Sequence, residues 1–206
     1  MNNISTIVFD LGRVLIDFDH NLAAERIKRF TNKSAQEIYE LIFSSDITIL
    51  FEEGKISPQE FFAKMKAMLE LNLSYESFVP IWNEIFFWTA QNRAVYGLAS
   101  SLRQRYKIVV LSNINILHYE YLKQYFPLFS AFNHVFTSFE LGCIKPGHEI
   151  YKKTLEKLNV SASEVFYTDD RQELVESARQ LGINSFCFTG IHQLKSDLTS
   201  IGVNIN

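Results

Sequence analysis

Five short apolar runs constrain this chain more than any other feature: TIVF at 6–9, KIVVL at 107–111, HVFT at 134–137, EVFYT at 164–168 and SFCF at 185–188. The last four alternate with stretches patterned as helices, near 92–106, 115–126, 147–159 and 171–181, the third begun by Pro146 and the fourth stopped by Gly182. Strands that alternate with helices predict a parallel sheet with helices on both faces. Runs this apolar suit strands buried on both sides. The fold class expected is α/β, a Rossmann-like three-layer core.

Between the first run and the second the pattern changes. HNLAAERIKRF and SAQEIYELIF carry apolar residues at three- and four-residue spacings. ISPQEFFAKMKAMLEL offers Ser57 as an N-cap, Pro58 at the first helical position and Glu60 three residues after the cap. SYESFVPIWNEIFFW closes the segment. Residues 20–90 therefore read as helix throughout, enough for a small bundle.

Composition removes several classes of partner. The net charge is −3 over 206 residues and no basic run occurs, which argues against nucleic acid and against an anionic membrane surface. No apolar run approaches the ~20 residues that span a bilayer. The first strand begins so close to Met1 that a signal peptide has no room. Cys143 and Cys187 lack C-x-x-C spacing and read as thiols in a reducing compartment, so a cytoplasmic location is expected.

In open parallel sheets, ligands bind beyond the carboxyl ends of the strands. Polar residues collect at those ends here. TIVF runs into Asp10, KIVVL into Ser112 and Asn113, and EVFYT into Asp169 and Asp170, while the loop after HVFT holds Lys145. Such a set suits phosphoryl transfer. A carboxylate can attack phosphorus and split one hard hydrolysis into two easier steps. Lys145 and a divalent ion would neutralise the phosphoryl oxygens. Magnesium prefers oxygen ligands, so Asp10, Asp170 and a backbone carbonyl would suffice. Ser112 and the amides after it would donate hydrogen bonds to the phosphate.

VFDLGRVLID, VVLSN, GCIKPGHEIY and VFYTDDRQELVESARQLG resemble, in order and spacing, the four motifs of the haloacid dehalogenase-like hydrolases. The helical segment resembles the four-helix cap of the phosphatase and dehalogenase branch, and FEEGKIS at 51–57 resembles that cap's substrate-proximal loop. The resemblance implies a hydrolase core at 1–16 and 91–206, and a cap at 17–90. It implies Asp10 as nucleophile, Ser112 and Asn113 at the phosphoryl group, Lys145 as counter-charge and Asp170 as the main acidic magnesium ligand. Asp169 would be an outer or alternative ligand, with Glu173 ordering water. Arg13, next to the catalytic loop, is placed where its guanidinium could reach a phosphate or a sugar hydroxyl, the alternative being an arginine that simply faces solvent.

One position departs from the family pattern. Two residues after the nucleophile, phosphatases of this family carry a second aspartate that protonates the leaving group; Gly12 stands there. Its backbone carbonyl still suits the metal, but the acid is missing. General acid help is worth ~10²–10⁴-fold, so poor leaving groups should suffer most. The form FDLG resembles a branch that includes a sugar 1-phosphate phosphatase, whose anomeric leaving group needs little help. Restoring an aspartate at position 12 should favour poor leaving groups, and Asp17, Asp19 and His20 read as turn or cap residues rather than substitute acids.

The activity expected is magnesium-dependent hydrolysis of a small phosphorylated metabolite, a sugar phosphate above all. A 2-haloacid dehalogenase would need no acid, yet the Asp169–Asp170 pair would repel its carboxylate substrate. A binding or regulatory protein that lost turnover has only Gly12 in its favour. Trp82 and Phe86–Trp88 read as bundle core; His118, His134 and His148 have no ligand spacing.

Overall fold

A computed structural model describes residues 4–43 and 45–205. In chain order the strands are β1 (Thr6–Phe9), β2 (Asp17–Phe18), β3 (Phe86–Phe87), β4 (Lys107–Ser112), β5 (His134–Thr137), β6 (Val165–Asp169) and β7 (Asn184–Cys187). The helices are α1 (His20–Ile27), α2 (Ala35–Phe43), α3 (Asp46–Glu52), α4 (Pro58–Leu69), α5 (Tyr75–Asn83), α6 (Ala90–Leu102), α7 (Ile116–Tyr125), α8 (Ser138–Leu141), α9 (His148–Leu158), α10 (Gln172–Gln180) and α11 (Ile191–Ser200).

Five strands form one sheet in the order β5-β4-β1-β6-β7, parallel at every pairing. The α/β expectation holds. The order turns at β1, where the chain runs to β4 and β5 on one side and to β6 and β7 on the other, so β1 sits at the switch point. Strand β1 is buried along its whole length and β6 likewise, whereas edge strands β5 and β7 are only partly covered. Their apolar sequences overstate their burial, because an edge has one ladder neighbour instead of two.

Two clusters of buried side chains, one on each face, hold helices to the sheet. A third belongs to α1–α5 and is built around Ile27, Phe51, Phe61, Met65, Phe78 and Trp82. Helix α4 begins with the anticipated capping box: Ser57 accepts from the Glu60 N–H, Glu60 reaches back to the Ser57 N–H at 2.8 Å, and Pro58 opens the helix. No helix among the described residues is long and apolar enough to cross a membrane.

The segment 20–90, read as all helix, hides one strand of a two-strand ribbon, β3. Strand β2 pairs antiparallel with β3, Asp17 opposite Phe87 and Phe18 opposite Phe86, where the chain leaves the sheet and returns. Two residues are too few to show a period. The aromatic run is accordingly split: Trp82 lies in the bundle core, Phe87 is exposed, and Trp88 packs against the sheet side and donates Nε1–H to Leu15 O at 3.0 Å.

Between bundle and sheet lies His118 of α7. Its ring stacks on Trp82 with centroids 5.1 Å apart, and Nε2 stands 3.0 Å from Trp82 O. The Asn115 amide nitrogen lies 3.1 Å from Nδ1 and donates to it, so Nε2–H is the donor to Trp82. One neutral tautomer satisfies both partners. Burial, first, and then His20 drive its pKa down from 6.5 to about 3 against the pull of Trp82 O. A depressed histidine supports the fold above its unfolded pKa and stops doing so as pH falls. Stability should therefore decline from about pH 6.5 toward about pH 3. His118→Gln should flatten that slope in urea titrations at stepped pH; an unchanged slope would contradict the assignment.

Candidate active site

Register builds the site. Phe9 of β1 lies opposite Val110 of β4 and Thr168 of β6. Asp10 continues the ladder one step further, donating its N–H to Thr168 O at 2.9 Å. That step sets it level with Asp169 at the end of β6. Oxygens of Asp10, Asp169 and Asp170 all lie within 4.8 Å of one another. A buried strand ends on a carboxylate because this rim is where the sheet opens to a cleft.

Lys145 reaches the rim from the loop between α8 and α9, with its side chain only 1% exposed. Four oxygens surround its Nζ: Asp10 Oδ1 at 2.6 Å, Asp169 Oδ2 at 2.7 Å, Leu111 O at 3.1 Å and Tyr167 Oη at 3.2 Å. Burial opposes its charge, but Asp10 and Asp169 outweigh burial and hold its pKa above the ordinary value. The loop is clasped in turn by Asn113, whose Nδ2 donates to Lys145 O and whose Oδ1 accepts from the Lys145 N–H, both at 2.8 Å. Asn113 thus lines the cleft while its carboxamide is committed to positioning Lys145.

The two acidic residues of VFYTDD differ. Asp169 is wholly buried: Oδ2 takes bonds from Lys145 and the Tyr167 hydroxyl, and Oδ1 accepts from the Arg171 N–H at 3.0 Å. Although burial works against its ionisation, Lys145 and these donors bring its pKa below the usual carboxylate value. Asp170 faces the cleft, and burial and Asp169 raise its pKa. Burial chiefly, then Asp169 and Asp170, push the Asp10 pKa up to about 7 against Lys145. Its Oδ1 is taken by Lys145; Oδ2 has no direct hydrogen bond among the described residues.

Three carboxylates face one ammonium, so the cluster lacks positive charge. Asp169 has its oxygens engaged, which leaves Asp10 and Asp170 as the acidic donors toward the cleft, with Gly12 in its wall. A hard divalent cation that takes oxygen ligands and keeps several waters fits this set.

The cleft measures about 360 Å³ and opens over Asp10, Gly12, Ser112, Asn113, Lys145 and Asp170. Ser112 is buried and its hydroxyl makes one long bond, 3.3 Å to Asn113 O. Arg13 stands in the wall half exposed, paired with Asp17 at 3.2 Å and stacked 4.4 Å from the Phe18 ring centroid. It adopts φ 60°, a left-handed conformation that a non-glycine residue holds at some cost. Glu173 does not join the group: it lies on the surface against Arg171, whose Nε donates to it at 2.7 Å. Arg171, the residue before α10, and Glu173 on its first turn are close enough in the chain to pair.

Gly12 has a structural counterpart. A Cβ at this position would lie 2.8 Å from Phe18 Cε1. The ring of Phe18, wedged between Arg13, His20 and Phe86, fills the space a longer residue would need. An aspartate at 12 therefore requires the Phe18 ring to move, a demand that the sequence alone does not show.

Two residues escaped the sequence reading. Tyr167 looks like another core aromatic, yet it sits two positions before Asp169 and so shares its face of β6, where its hydroxyl bridges Lys145 and Asp169. Glu52 is the second residue of FEEGKIS, and the structure brings its side chain from the end of α3 into the cleft wall.

The fold and these strand ends define a hydrolase class. A sequence model described as haloacid dehalogenase-like hydrolase matches residues 4–182, and the chain belongs to that family. It is similar to a D-ribitol-5-phosphate phosphatase of Bacteroides thetaiotaomicron, 26% identical over 89% of this chain and 91% of the relative. A phosphatase of Mycobacterium tuberculosis is 26% identical over 97% of this chain and 96% of its own length. Among solved structures, a haloacid dehalogenase family enzyme of Bacteroides thetaiotaomicron in a magnesium complex superposes with a TM-score of 0.80, at 26% identity and over 90% and 93% of the two chains. An L-2-haloacid dehalogenase shares the fold at a TM-score of 0.63 and 16% identity.

Lys145→Met would leave buried carboxylates unpaired and should cost about 3–5 kcal/mol near neutral pH. The deficit should shrink as pH falls and those carboxyls take up protons. Urea unfolding at several pH values measures it; a deficit independent of pH would contradict the charge argument.

Proposed function

We propose that this chain is a magnesium-dependent phosphomonoester hydrolase acting through an aspartyl-phosphate on Asp10. The observation that carries the reading is the Asp10 carboxylate, one oxygen held by Lys145 and the other free at the mouth of the cleft, beside a cation-deficient acidic pair. Lys145 fixes the rotamer of Asp10 and offsets charge on the transferring group. Ser112 donates its hydroxyl to a phosphoryl oxygen, and Arg13 holds the distal part of the substrate. Asp10, Asp170 and the Gly12 carbonyl would bind magnesium, which supplies positive charge to the phosphate when bound.

We further read residues 17–90 as a cap on a core of 1–16 and 91–206, with substrate entering between them. The cleft volume of about 360 Å³ suits a small metabolite. Its wall mixes Arg13, His20, Ser45, Thr48 and Glu52 with Phe18 and Phe43, a lining suited to a sugar or polyol phosphate. The similarity to a D-ribitol-5-phosphate phosphatase supports that class. The dehalogenase reading has only the fold in common.

Asp10→Asn should fold normally and lose turnover of phosphomonoesters by at least about 10³-fold. Normal activity in that variant would remove the nucleophile assignment. Magnesium should raise the unfolding temperature of the wild type and do so much less in Asp170→Asn, because a cation that binds only the native state stabilises it. Hydrolysis that survives EDTA, or equal thermal shifts in both proteins, would contradict the metal site.

A further inference from the structure

If Asp10 attacks phosphorus as proposed above, something must protonate the departing oxygen, and position 12 cannot. The nearby acids are occupied elsewhere. Asp19 caps α1, accepting from the Asn21 N–H at 2.9 Å, and Asp17 is paired with Arg13. His20 faces the cleft, but burial first and then Arg13 lower its pKa to about 4, so it carries no proton to give at neutral pH.

Glu52 is different. It lines both the main cleft and a smaller adjoining one of about 90 Å³ that runs past Gly12 and Ser112. Its carboxyl has no hydrogen bond or ion pair among the described residues. Its main chain is anchored to the sheet side: Ser138 Oγ donates to Glu52 O at 2.6 Å and accepts from the Ile114 N–H at 3.0 Å, one residue past Asn113. Two residues on, Gly54 adopts φ +66° so close to α8 that a Cβ would stand 2.4 Å from Phe139 O. The end of α3 is therefore pinned against the loop that follows Ser112.

We propose that Glu52 serves as the acid–base residue of this site, acting from the helical segment in place of the side chain missing at Gly12. In the first half-reaction Asp10 Oδ2 bonds to phosphorus, the P–O bond to the alkoxide breaks, and the Glu52 O–H proton passes to that oxygen, releasing the alcohol. In the second, Glu52 carboxylate takes a proton from water as the water oxygen bonds to phosphorus. The P–O bond to Asp10 breaks, inorganic phosphate leaves, and both carboxyls return to their starting forms.

The protonation state agrees. Burial raises the Glu52 pKa from 4.5 to about 7, only partly opposed by Arg171 and Lys145, so the residue can give a proton and take one back near neutral pH. The ionisable groups sharing its cleft are Asp10, Arg13, His20, Lys145, Asp170 and Arg171. On the helices packed against α3, Glu140 is bonded to Thr137, Glu60 to Ser57, and Glu40 accepts from Gln36.

The test compares wild type with Glu52→Gln and Glu52→Asp, in magnesium, on ribitol 5-phosphate and on p-nitrophenyl phosphate, whose phenolate leaves unprotonated. Glu52→Gln should lower kcat on the alkyl ester by about 100-fold or more, and at least about tenfold less on the aryl ester. In the wild type the alkyl rate should fall as pH rises through about 7, and that limb should vanish in the amide variant. Glu52→Asp should recover part of the alkyl rate. Equal losses on both esters, or a loss confined to KM, would overturn the proposal and make Glu52 a substrate-binding group. A wild type inactive on both esters would fail at the phosphatase reading itself, before the variants are compared.

Discussion

A single buried ammonium organises this molecule. Lys145 joins the ends of β1 and β6 through Asp10 and Asp169 and also touches the end of β4 through Leu111 O. Without it, two largely buried carboxylates would stand side by side, an arrangement that costs several kcal/mol. With it, the three central strands share one electrostatic centre. The clasp of Asn113 on the Lys145 backbone, and the Tyr167 hydroxyl below, serve that placement. One positive charge still does not balance three carboxylates, and the remainder makes the rim receptive to a cation and then to a phosphate.

The helical segment is tied to this centre at several points. His118 and Trp82 form one seam and the β2–β3 ribbon another. Ser138 forms a third, binding the end of α3 to the loop beside Ser112. These ties matter for chemistry because the cleft takes half its wall from the bundle. Phe18, which occupies the room beside Gly12, belongs to the ribbon. A small residue on the loop after Asp10 is thus paired with a large one on the ribbon, and the room beside Gly12 is filled from the bundle side.

Much of the sheet was legible because an apolar run breaks off on a charged residue chiefly where a buried strand opens onto a polar rim. Asp10, Ser112 and the 169–170 pair were placed at the rim this way, Lys145 through the loop that follows HVFT, and Ser57 with Pro58 marked a helix start through local backbone chemistry. What escaped depends on distance in the chain. Tyr167 is indistinguishable from a core aromatic until the face of β6 is known. Glu52 reads as one acid among several in FEEGKIS until the bundle is set on the sheet. The contact of Gly12 with Phe18 and the ribbon of two-residue strands leave no periodic trace. Glu173, which the resemblance implied as a water-ordering residue, pairs with Arg171 on the surface, a local contact that the motif does not show.

The central claim is that Asp10 accepts a phosphoryl group beside a cation held by Asp10 and Asp170. A crystal structure grown with magnesium and trifluoroberyllate, which mimics an acyl phosphate, tests it most directly. The account predicts beryllium bonded to the free oxygen of Asp10 and magnesium between Asp10 and Asp170. Beryllium on another residue, or magnesium bound away from these two carboxylates, would contradict it.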